Sequence, residues 1–160
     1  MAMKLSGLES FQTGLNNLAA NISKINNMAL YEAAGVVAEE MRNALNALPT
    51  YDDWYGTEGY PLYGATPSEK AQIIANFGIS RFRGSDGGSQ TSLGFTGYVN
   101  TPSTKYGDAV PTGMLMQAIN YGTQFRHGTH TLDRVEKSSK ARAVQAAQEK
   151  IDQEIKKLNI

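Results

Sequence analysis

The chain has 160 residues, enough for one domain with a real core, and its 15 lysines and arginines balance 15 aspartates and glutamates. That neutrality weighs against a protein that coats duplex DNA, which carries a basic excess, and the absence of cysteine excludes disulfides and thiolate metal sites while fitting assembly in a reducing cytosol. The opening Met1-Ala2-Met3-Lys4 lacks the continuous apolar core of a signal peptide, and no apolar run approaches the ~20 residues of a membrane span, so no membrane partner is expected.

Leu8, Phe11, Leu15, Leu18, Ile22 and Ile25 recur at alternating spacings of three and four, a clean helical stripe. Gly14 inside it costs roughly 1 kcal/mol against alanine, so packing must hold this helix. A second stripe, Leu30, Ala34, Val37, Met41, Leu45 and Leu48, follows out of phase after Asn26-Asn27. The offset predicts two helices, or one sharply bent there. These stripes pack on the domain or meet another subunit, although each is short for a sustained coiled coil.

Pro49 ends the second stripe. Tyr51 to Ala65 then places the only tryptophan among tyrosines, glycines and prolines with no periodicity, which predicts a loop. Its rings either pin the loop to its own domain or serve as interface anchors, because Tyr and Trp bury large areas at low entropic cost. Thr66-Pro67-Ser68-Glu69 is a helix start: Thr66 caps, Pro67 suits the first position and Glu69 closes a capping box. Ile73, Ile74 and Phe77 supply the apolar face and Gly78 the stop.

Ile79 to Arg83 and Leu93 to Val99 read as strands flanking the glycine-rich turn 84–89, a hairpin with a long mobile tip over 84–90. Leu93 and Phe95 share one face, and Gly94 and Gly97 signal close packing or a bulge. Pro102 to Pro111 reads as irregular. Val110, Met114, Leu115, Ala118 and Ile119 read as a short amphipathic helix, with Gly122 at a left-handed C-cap. A long final helix begins near Thr131, with a stripe through Ala141, Val144, Ala147, Ile151, Ile155 and Leu158, and reaches ~40 Å.

Catalytic patterns are absent. The turn 84–89 lacks the lysine of a phosphate-binding loop and the dinucleotide spacing, and no GxSxG occurs. His127 and His130 lie three apart with Asp133 nearby, but zinc requires further rigid ligands and Gly128 makes the loop a poor holder. Asp52-Asp53 reads as solvated acid. Arg81, Arg83, Arg126, His127 and Arg134 form either a basic patch toward DNA or an acidic partner, or the charged edge of a sheet that blocks pairing between edges. No enzyme activity, catalytic residue, metal or cofactor is expected.

The run Gln72, Ile74, Asn76-Phe77-Gly78-Ile79, the glycine-rich turn, Leu93-Gly94-Phe95-Thr96-Gly97-Tyr98, Pro111 before an apolar helix, and Tyr121-Gly122-Thr123 resembles the small head–tail joining proteins of long-tailed bacteriophages. That family includes tail-completion proteins and minor tail components. The order and spacing of several motifs carry the likeness, from about Thr66 to the C-terminus, and 51–65 reads as an insertion into the pattern. The resemblance implies a single α+β domain over 1–160, with a small antiparallel sheet and long hairpin packed against N-terminal helices and a long C-terminal helix. It implies a homo-oligomeric ring in the virion neck, made in the host cytoplasm, that completes the tail and joins it to the head. Its partners would be itself, neighbouring neck and tail proteins, and DNA passing without sequence-specific binding. A tail terminator, a tail-tube component and a small DNA-binding regulator are the alternatives. The candidate structural and assembly residues are Trp54, Tyr55, Tyr60 and Tyr63 in the aromatic loop, Gly87 and Gly88 in the tip, Phe95, Gly97 and Tyr98 on the outgoing strand, and Tyr121, Gly122 and Thr123 at the helix stop.

Overall fold

One helix, α1 (Leu8–Asn46), opens the computed structural model, which describes residues 8–51, 55–80, 83–85 and 88–158. The offset between the two apolar stripes does not interrupt it at Asn26-Asn27. Ala29 is covered four residues after Ile25, and Ala38 four residues after Ala34, so one unbroken helix is covered on different faces along its length. A change of covered face does not require a break, and no proline or glycine stands at Asn26-Asn27 to make one, so the expected break does not occur. The second stripe otherwise lies where it is expected, with Ala34, Met41, Leu45 and Leu48 buried.

The long C-terminal helix, α4 (Thr131–Lys157), packs along α1. Ion pairs Arg142–Glu40 and Lys150–Glu32 join the two. Residue numbers rise along one helix as they fall along the other, so the pair is antiparallel. Small residues line the covered sides, Ala34 and Ala38 on α1 and Ser139 and Ala143 on α4, which lets two helix axes approach closely. The buried face of α4 begins at Thr131, Val135, Ser139 and Ala143. Ala141 and Val144, expected on that face, are exposed instead. The apolar spacing of the distal half, Ala147, Ile151, Ile155 and Leu158, holds for the half-buried side, but extrapolating it toward the N-terminus leaves the face that Val135 sets.

Between the two long helices the chain forms β1 (Leu62–Tyr63), α2 (Pro67–Ala75), β2 (Phe77–Ile79), β3 (Arg83–Ser85), β4 (Gly88–Gln90), β5 (Leu93–Phe95), β6 (Tyr98–Ser103), β7 (Gly107–Pro111), α3 (Thr112–Tyr121) and β8 (Arg126–His127). Among the described residues the strands form four two-stranded ladders, three antiparallel and one, β1 with β8, parallel. The fold is α+β. The long hairpin is present as β2 on β5, continued by β3 on β4, and β4 lies against α1.

Four local expectations change. α2 ends at Ala75 with Asn76 as its C-cap, so Phe77, expected on its apolar face, and Gly78, expected as its stop, lie on β2. Pro102 to Pro111 is not irregular: β6 and β7 form a hairpin, with Val99 opposite Val110. Its register shifts between Asn100 and Ser103, which accommodates Pro102, a residue without a ladder N–H. Val110 therefore belongs to β7, and α3 starts after Pro111. The strand expected over Leu93 to Val99 divides at Thr96-Gly97, where Gly97 takes φ +68° and its carbonyl accepts from Thr112 N at 3.1 Å. The segment 51–65 contains β1, paired with a strand more than sixty positions away, a pairing that local periodicity does not encode.

The core gathers Met41, Leu45 and Leu48 of α1, Ile73 of α2, Val99 and Val110 of the β6–β7 hairpin, Leu115, Met116 and Ile119 of α3, and Val135 of α4. Phe77 and Phe95 flank it, ring centroids 5.4 Å apart, with Arg42 over Phe77. Leu45→Ala is expected to cost about 2–5 kcal/mol in urea unfolding, whereas Val144→Ala on exposed α4 should stay within about 0.5 kcal/mol. Equal effects would place the core elsewhere.

Candidate functional site

The site is built from α2 outward. Thr66 caps the helix in the expected reciprocal manner: its Oγ1 accepts from Glu69 N at 3.2 Å, and Glu69 Oε2 accepts from Thr66 N at 3.0 Å. Glu69 is, however, fully buried, and its second oxygen serves two other elements. Oε1 accepts from Arg126 Nη2 at 2.6 Å and from Thr101 Oγ1 at 2.7 Å. Arg126 Nη1 donates to Gly64 O at 3.0 Å. Helix cap, β6, β8 and the end of the aromatic loop thus meet on one carboxylate. A buried charge is tolerated only when paired and hydrogen-bonded in this way.

Arg126 therefore leaves the expected basic patch: it lies inside, on Glu69. Arg81 is outside the described residues, as are Asp52, Asp53, Trp54 and Gly87. His127 and His130 are exposed, and His130 faces Asp133 at 3.2 Å. Among the described residues no group of three His, Cys, Asp or Glu side chains stands close enough to hold a metal ion.

Above the ion pair opens a groove of about 460 Å³. Its floor is Thr101, Val110, Leu115 and Arg126, all buried, and its walls carry the half-exposed Tyr55, Tyr106, Met114 and Phe125. Hydroxyls of Ser103 and Thr104 border it. Among the described residues the one charged lining residue, Arg126, is paired with Glu69, so these residues present rings, a thioether and hydroxyls without net charge. That surface suits an apolar or aromatic protein segment and not a phosphate.

The aromatic loop is held over the groove by backbone. Leu62 N donates to Phe125 O at 2.8 Å, and Gly56, at φ +78°, comes so close that a Cβ would stand 2.1 Å from the same oxygen. Ala65 N donates to Pro49 O at 3.0 Å and Tyr51 N to Ala65 O at 3.4 Å, closing the loop at its base. Thr123 and Arg126 exchange backbone hydrogen bonds at 2.8 and 3.2 Å, which turns the chain from α3 into β8. Gly122 has positive φ as expected, but with ψ 168° it is extended and not left-handed helical. A Cβ there would meet Gly128 N at 2.8 Å. The α3 carbonyls are satisfied instead by the returning chain, Thr129 N to Ile119 O and His130 N to Asn120 O, each 2.9 Å. Asn120 also caps α4, its Oδ1 accepting from Leu132 N at 2.8 Å.

Of the sequence candidates, Tyr55 and Thr123 line the groove. Tyr63 is exposed on β1, and Tyr60 projects from a turn closed by mutual backbone bonds with Thr57. Phe95 packs on Phe77, and Gly88 pairs with Ser85. Tyr98 and Tyr121 are exposed away from the groove lining. Tyr106 and Phe125 carry no sequence signal, and Met114, expected on the apolar face of α3 with Leu115, is half-exposed on the groove; the three come together only after β6–β7 and α3 fold.

Arg126→Met should cost about 3–5 kcal/mol, as should Glu69→Met, because each strands a buried partner. The double variant should cost much less than the sum. Strict additivity in the double-mutant cycle would mean that the pair is not coupled.

The chain matches no protein-family model, no curated protein and no solved structure.

Proposed function

We propose that the chain is a structural subunit of a phage neck or tail, a homo-oligomeric ring that completes the tail and joins it to the head. The observation that carries this reading is the uncharged aromatic groove of Tyr55, Tyr106, Met114 and Phe125. It is a surface for a protein segment, and it uses its one arginine internally. The motif order from Asn76 to Thr123 supports the same reading by resemblance. Overall neutrality suits a passage wall that does not hold DNA tightly. In a ring the groove is one half of a heterologous contact, filled by a different patch of the neighbouring copy or by the adjoining neck protein. A tail terminator or tail-tube subunit would use the same surface, and its position in the virion distinguishes it.

Met114→Ala combined with Phe125→Ala removes two half-exposed side chains. It should leave cooperative unfolding within about 1 kcal/mol of the parent while abolishing incorporation into tails. Light scattering of the purified protein, alone and with neck or tail extract, supplies the readout. A ring of more than two copies, formed alone or on tails and lost in the double variant, is the expected result. A chain that ignores tails and binds DNA in low salt overturns the reading and favours the regulator.

A further inference from the structure

We draw no further inference here: the strongest candidate, the exposed apolar stripe of Phe11, Leu15 and Ile22 on the N-terminal turns of α1, carries nothing because nothing in the structure shows what covers it.

Discussion

The carboxylate of Glu69 is the constraint on which the middle of this chain depends. It closes the cap of α2, accepts the β6 hydroxyl of Thr101 and neutralises Arg126 of β8. An apolar side chain in its place would tolerate many arrangements of the surrounding strands. A buried carboxylate tolerates only the one that satisfies both oxygens, since an unmet buried charge costs several kcal/mol. The two-residue strands β1 and β8 have little ladder of their own, and their parallel pairing is fixed from below by Arg126 reaching Gly64 O and from above by Leu62 N on Phe125 O. The groove lies beside this junction: Thr101 and Arg126 of its lining belong to the network, and α3 supplies Met114, Leu115 and Ala118.

The outer frame obeys a different rule. Along α1 and α4 the covered residues are mostly small, Ala34, Ala38, Ser139 and Ala143, so close approach and not large side chains holds the helices. The ends are stitched by neighbouring elements. Asn120, at the end of α3, supplies the cap that His130 does not, although His130 itself sits at φ +51°. Such a left-handed position costs a non-glycine residue roughly 1–2 kcal/mol, and it persists because His130 N is bound to Asn120 O.

What the sequence displays is what depends on neighbours along the chain. The capping box Thr66–Glu69 is set by residues three positions apart and is legible, as are the glycines that mark the stop after α3 and the tip of the long hairpin, although Thr129, His130 and Asn120 complete the α3–α4 junction across ten to twelve positions. The continuity of α1 was hidden because its apolar phase changes where the helix is covered on a different face, not where it ends. The β6–β7 hairpin was hidden because Pro102, ordinarily a strand breaker, sits where the register shifts. The candidate site was legible only at its margins, Tyr55 and Thr123. Its centre depends on Arg126 finding Glu69 across 57 positions, and a charged residue in a histidine-flanked loop gives no local sign of burial.

The groove shows what such a junction leaves for a neighbour. Among the described residues its lining is rings, a thioether, aliphatic groups and hydroxyls, and its one charged residue is held on Glu69. A neighbouring copy that filled it with a different patch would make a heterologous contact, and repetition of such a contact closes a ring or extends a filament. The arginine able to draw a phosphate to this surface is already committed to the carboxylate that holds the strands together.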